Sequence, residues 1–217
     1  MSTDVIRSGF GLKEAVKSQL QADYRSQLIE RIRANHHRLI AGDLTIRLAK
    51  EFGFCYGVER AVDYAYETRR KFPDQRIFLT NELIHNPRVN GRLREMKIGF
   101  LDGNEEGDLK TDQLNKDDVV IIAAFGTLVG KLEELKSRGC VLVDATCGSV
   151  IQVWKRVEQY AKSGFTAVVH GNYQHEETRA TTSIAAQHPK GKYLVIWDKK
   201  EAEQVCRAII EGCDSKL

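Results

Sequence analysis

No apolar run in these 217 residues approaches the ~20 needed to cross a bilayer as a helix, so a membrane-spanning segment is not expected. The N-terminus lacks the apolar core of a secretion signal. Asp4, Glu14, Asp23 and Glu30 are scattered where an organellar transit peptide would be free of acids. Net charge is only +3 and is evenly spread, which argues against a nucleic-acid surface. Several chemical signatures are missing: there is no Gly-x-x-x-x-Gly-Lys-Ser/Thr phosphate loop, no Gly-x-Gly-x-x-Gly after a strand and no His-Glu-x-x-His. Without a Cys-x-x-Cys pair, zinc ribbons and thioredoxin-like redox motifs have no support. The five cysteines, Cys55, Cys140, Cys147, Cys206 and Cys213, are odd in number and follow no export signal. They read as thiols or metal ligands in a reducing cytoplasm, not as a disulfide framework.

What is present is an ordinary globular composition, 42% hydrophobic and 29% charged, with length enough for one large or two small cores. One stretch stands out, Gly53-Phe54-Cys55-Tyr56-Gly57-Val58-Glu59-Arg60-Ala61. It follows an apolar run at 44–49 that reads as a strand, and it precedes Val58, Ala61, Val62, Ala65 and Tyr66 at helical spacing. A cysteine thus sits where a strand hands over to a helix, a place whose free N–H groups and dipole favour a thiolate. A buried structural cysteine is the competing reading. The unit recurs: the β-rich run 141–146 ends at Cys147, and Val150, Val153, Trp154, Val157, Tyr160 and Ala161 repeat the helical period. Two such turns in pseudo-symmetric lobes would converge on one point, as soft-metal chemistry requires.

In chain order, residues 1–43 predict a helical N-terminal arm with one helix, marked by Leu12, Val16, Leu20, Tyr24, Leu28 and Ile32, followed by a solvated His36-His37 loop. Residues 44–146 predict a first α/β lobe and 147–217 a second, incomplete one. Val119 to Ala124 reads as a central parallel strand, apolar on both faces, and 165–170 as another buried strand. The fold class expected is α/β: pseudo-symmetric lobes, each a small mostly parallel sheet flanked by helices. Ligands in such sheets bind beyond the C-terminal strand ends. Cys55, His85, Phe125, Cys147 and His175 all follow expected strands and are candidates for one shared cleft.

His85 lies in a turn fixed by Asn86-Pro87 and is able to present its ring to an anion; hydrogen bonding within its own loop is the alternative. His175 and Glu177, if extended, face the same side, where a histidine binds an anion and a buried carboxyl delivers a proton; a solvated charge run is the alternative. Cys140 opens a strand and reads as core, and Cys206 and Cys213, in or beyond the last helix, are poor ligands.

Four motifs stand in order: Gly53 to Ala61; Asn81-Glu82-Leu83-Ile84-His85-Asn86-Pro87-Arg88-Val89-Asn90; Asp144-Ala145-Thr146-Cys147; and His170-Gly171-Asn172-Tyr173-Gln174-His175-Glu176-Glu177-Thr178. On these the chain resembles 4-hydroxy-3-methylbut-2-enyl diphosphate reductase, the LytB family, and with Ala124-Phe125-Gly126 its plant and cyanobacterial branch. The resemblance implies a trilobed α/β protein around a [4Fe–4S] cluster held by one cysteine per lobe, with Cys55 and Cys147 as metal ligands. It implies His85 and His175 as substrate-binding residues on an allylic diphosphate, Glu177 as the catalytic proton donor, and ferredoxin or flavodoxin as electron donor. The implied reaction removes the allylic hydroxyl reductively, giving isopentenyl and dimethylallyl diphosphates.

Three departures accompany the resemblance. Gly148 stands where the family usually has proline, Phe125 stands where many bacterial members have histidine, and the third lobe with its third cysteine is expected to be absent. The expected function is therefore the reductase, and the alternative is a truncated, non-catalytic diphosphate-binding or assembly module without a cluster. A homo-oligomer pooling Cys55 and Cys147 from two copies is a third way to complete the ligand set. No nucleic-acid or membrane partner is expected.

Overall fold

The structure is a computed structural model that describes residues 5–101 and 110–212. A short strand β1 (Val5–Ile6) leads into helices α1 (Lys13–Tyr24) and α2 (Gln27–Ala34), then strands β2 (Arg38–Ala41) and β3 (Leu44–Arg47). Helix α3 (Tyr56–Lys71), β4 (Ile77–Leu79), α4 (Pro87–Glu95), β5 (Ile98–Phe100), β6 (Val119–Ile122), α5 (Val129–Ser137) and β7 (Val141–Asp144) follow. The chain continues through α6 (Gly148–Lys162), β8 (Thr166–His170), α7 (Glu176–Ala186), β9 (Lys192–Ile196) and α8 (Lys199–Glu211).

β1, β7, β6, β4 and β5 form, in that order, a five-stranded sheet in which every pairing is parallel. β6 is buried along its whole length, as expected for a strand covered on both faces. Alternation along the strands separates two cores. Val119, Ile121 and Val143 pack with Ala61, Val62, Ala65 and Tyr66 of α3 and with Val89 and Leu93 of α4. Val120 and Leu142 pack on the other face with Leu135 of α5 and with Cys140. The fold is thus α/β, a mainly parallel sheet flanked by helices.

Four local expectations are corrected. The arm holds two helices, because Ser26 leaves the helical conformation and its Oγ accepts from the Ile29 amide to start α2. The arm also supplies β1, a sheet strand too short to carry any periodicity. Residues 44–47 do not enter the parallel sheet: β3 pairs antiparallel with β2 across a two-residue turn at Gly42 and Asp43, with Gly42 at φ +59°. That hairpin is exposed, Leu44 at 68% and Ile40 at 61%. Finally, β8 is only half covered. It pairs with β9 alone in a two-stranded parallel sheet, and Val168 remains 46% exposed.

The arm is tied to the sheet through α3. Buried Glu67 accepts from the amides of Phe10 (2.7 Å) and Leu12 (3.1 Å) through one oxygen. The Tyr66 hydroxyl donates to Asp23, which also receives Arg92; burial first, then its Tyr24 and Asp23 contacts, pushes the Tyr66 phenol far upward.

Candidate functional site

The parallel sheet places the ends of β4 and β6 side by side, and the site grows from these ends. Past β4, the loop carrying His85 is held by buried Asn90, whose side chain accepts from the Leu83 amide (3.2 Å) and donates to the Ile84 carbonyl (2.8 Å). Asn86 caps α4, accepting from the Arg88 and Val89 amides, and Pro87 occupies the first helical position. His85 is thereby fixed between two anchored residues.

Past β6, Phe125 is followed by Gly126 at φ +82°, where the Trp154 ring packs so close that no Cβ fits. Phe125 stacks on His85, centroids 4.4 Å apart and planes inclined by 23°. His175 completes the group as the N-cap of α7, its Nδ1 accepting from the Glu177 amide at 3.2 Å. Its ring meets His85 edge-on, with the two Nε2 atoms 3.0 Å apart, and lies 5.3 Å from the Phe125 ring. Two carboxylates flank His85: Glu82 Oε2 at 3.1 Å from Nδ1, and Glu176 Oε2 at 3.9 Å from Nε2. The Asn81 side-chain amide reaches the other oxygen of Glu176 at 3.5 Å.

Cys147 adjoins this group. Its amide donates to the Ala124 carbonyl (2.9 Å), one residue before Phe125. The turn before it is braced by Asp144 Oδ1, which accepts from the Thr146 amide, and by Arg60, which donates to the Thr146 carbonyl at 2.7 Å. Cys147 and Cys55 are the N-caps of α6 and α3, and neither side chain makes a capping hydrogen bond. Gly57, in the first turn of α3, lies directly against Cys147 Sγ, leaving no room for a Cβ. Cys55 is exposed and Cys147 half-buried.

The strand, cysteine and helix unit recurs, but its strands differ in setting: β7 before Cys147 lies in the parallel sheet, whereas β3 before Cys55 belongs to an exposed antiparallel hairpin. The extended geometry expected for His175 and Glu177 is absent, since the pair spans a helix start and is joined through the Glu177 amide. His85, Phe125 and His175 do come together, with Cys147 beside them and the first turn of α3 over it. Cys140 is buried with its thiol on the Leu135 carbonyl, and burial pushes that thiol up. Cys206 is exposed on α8, and Cys213 lies outside the described residues. His36 and His37 adopt positive φ (50° and 59°) in the turn between α2 and β2. Sequence reasoning missed Glu82, Glu176 and Asn90. The three-residue spacing of Glu82 and His85 in one turn was the available signal for the first of these; Glu176 reaches His85 only through the tertiary fold.

Chemically, two aromatic-flanked imidazoles at a helix start suit an anion. Two thiols free of capping duties are donors of the kind iron–sulfur clusters take, and the described residues bring two of the usual three or four to this end of the sheet.

A family model described as LytB protein matches residues 46–213. The chain is 48% identical over 210 residues to 4-hydroxy-3-methylbut-2-enyl diphosphate reductase of Gloeothece citriformis, covering 97% of this chain and 51% of that protein. It is 50% identical over 208 residues to the protein of the same name from Thermosynechococcus vestitus, covering 96% and 50%. The chain spans about half the length of the curated relatives it matches. A solved structure of (E)-4-hydroxy-3-methyl-but-2-enyl diphosphate reductase superposes with a TM-score of 0.59 at 29% identity, covering 72% of this chain and 52% of that one. A Plasmodium falciparum reductase superposes with a TM-score of 0.62 at 22% identity, covering 71% and 45%, a likeness of fold. With its motifs, its sheet and these matches in agreement, the chain belongs to the LytB family.

Proposed function

We propose that this chain carries the first part of a 4-hydroxy-3-methylbut-2-enyl diphosphate reductase, an enzyme that removes an allylic hydroxyl reductively to give isopentenyl and dimethylallyl diphosphates. The observation that carries the reading is the convergence of His85, Phe125 and His175 beside Cys147. In this reading His85 and His175 hold the substrate diphosphate, and Phe125 backs the His85 ring. Glu177, in the first turn of α7, delivers the proton to the departing hydroxyl. Cys55 and Cys147 would hold a [4Fe–4S] cluster, which when bound would supply electrons and Lewis acidity. Further thiolates come from beyond these two, and ferredoxin or flavodoxin is the electron source. The arm (1–43), first lobe (44–146) and second lobe (147–217) are the working division of the chain, and the cytoplasm is its place.

Iron and sulfide analysis of anaerobically purified protein tests the cluster. Iron is expected in the native chain and is lost in Cys55→Ser and Cys147→Ser; a colourless, iron-free native product would overturn it. If a second copy supplies the remaining ligands, iron loading follows dimer formation in native mass spectrometry. Binding of isopentenyl diphosphate, weakened by His85→Ala and by His175→Ala, tests the anion site independently of iron.

A further inference from the structure

We propose that His85 takes up a proton when a diphosphate binds, with Glu82 as its built-in counter-ion, whereas His175 remains a neutral donor throughout. This rests on the diphosphate reading above and extends it to the protonation of the site.

The order of protons follows from three contacts in a row. The Glu177 amide meets His175 Nδ1 at 3.2 Å. A backbone amide only donates, so that nitrogen bears a lone pair and the ring proton is on Nε2. His175 Nε2 faces His85 Nε2 at 3.0 Å, where two protonated nitrogens would collide. His85 Nε2 is therefore the acceptor, its proton lies on Nδ1, and Nδ1 donates to Glu82 Oε2 at 3.1 Å. Each ring nitrogen of His85 and His175 then has a partner in one arrangement, with one proton on each ring.

An approaching anion needs N–H groups, and the two rings are unequal before it. His175 offers its Nε2–H at once, because its Nδ1 stays engaged by the amide that starts α7. His85 offers a bare lone pair, which repels a phosphate oxygen until Nε2 gains a proton, whereupon the two rings turn from each other and both Nε2–H groups point to the anion. Two carboxylates face His85 as counter-ions for that proton: Glu82 from its own loop at 3.1 Å and Glu176 from α7 at 3.9 Å. From the turn after β6, Phe125 faces it, and an aromatic ring stacked on imidazolium adds attraction. Asn81 turns its side-chain amide to Glu176.

The same order argues against a divalent metal. One ligand atom each from His85, His175 and Glu176 lies within 4.8 Å of the others, close enough to share an ion. Binding a metal at His175 Nε2, however, would move the ring proton to Nδ1, straight into the Glu177 N–H.

The test is calorimetric titration with isopentenyl diphosphate at about pH 8, in buffers of differing ionisation enthalpy, so that the buffer dependence of the heat counts protons. The expected uptake approaches about one proton per ligand, falls by roughly half or more in Glu82→Gln with about tenfold weaker binding, and persists in His175→Gln. Binding without uptake, or equal uptake in Glu82→Gln, overturns the proposal. Should isopentenyl diphosphate not bind, the diphosphate reading fails by itself, and long-range proton–nitrogen spectra of the free protein decide the proton order. Nδ1–H on His85 with Nε2–H on His175 upholds that order, and any other tautomer pair overturns the proposal.

Discussion

Replacing Gly57 by alanine isolates the contact that sets Cys147 against α3. Gly57 occupies an ordinary place in the first turn of α3, where alanine alone would gain about 0.5–1 kcal/mol over glycine. The added methyl, however, would lie 3.3 Å from Cys147 Cβ and far closer to Sγ than carbon–sulfur van der Waals contact allows. Neither side yields easily, because the Cys147 amide is bonded to the Ala124 carbonyl and Arg60 of α3 is bonded to the Thr146 carbonyl. Overpacking of this kind costs about 1–3 kcal/mol, so Gly57→Ala should be destabilised by up to about 2 kcal/mol after the helical gain. A double-mutant cycle separates the two effects. Cys147→Gly removes both Sγ and Cβ at an N-cap that tolerates glycine, and in that background Gly57→Ala should stabilise the protein. Urea unfolding of the four proteins is the assay, with an expected coupling of about 1–3 kcal/mol. A coupling within about 0.5 kcal/mol of zero would refute the packing argument.

Three further outcomes follow from the geometry. Glu67→Ala leaves the Phe10 and Leu12 amides without their acceptor and should cost about 2–4 kcal/mol in urea unfolding, whereas Glu67→Gln keeps an oxygen for both and costs less; equal losses would contradict the anchoring role. Under iodoacetamide the native chain should modify exposed Cys55 and Cys206 at least about tenfold faster than Cys140, whose thiol burial pushes up, and mass spectrometry of tryptic peptides reads the difference. The Glu134 carboxyl is held below its usual range, chiefly by the Thr111 hydroxyl and then by Lys131, against the opposing effect of burial. Its folded value lies below its unfolded one, so the stability it contributes is present above the unfolded value and lost as pH falls through the folded one. Urea midpoints followed downward through the carboxylate range should therefore drop more for the native chain than for Glu134→Gln, and parallel curves would exclude the effect.

Legibility from sequence differed by element for physical reasons. Val119 to Ile122 was readable because a strand buried on both faces has no polar side to confuse with anything else. Asn86-Pro87 reads as the end of the His85 turn, and the structure makes it also the N-cap and first residue of α4, a local pairing of cap and proline that was legible in sequence. Leu44 and Ile46 alternate as a sheet strand would, and alternation does not name the partner. The Gly42-Asp43 turn was the overlooked sign that this strand folds back on Arg38 to Ala41. β1 pairs with residues well over a hundred positions away through two residues only, below the reach of any pattern.

The sequence by itself determined the α/β rhythm, the family motifs and the placing of Cys55 and Cys147 at helix starts, because each depends on residues within one or two turns of chain. Only the tertiary structure decided which of these residues meet. The His85 and His175 contact joins residues 90 positions apart, and it exists because the β4 end and the α7 start are brought to one place. The proton order of that pair arises one level further on, from an amide, two rings and Glu82 whose directions are set by capping and packing together. Spacing along the chain specifies the chemical groups; the parallel sheet specifies their company.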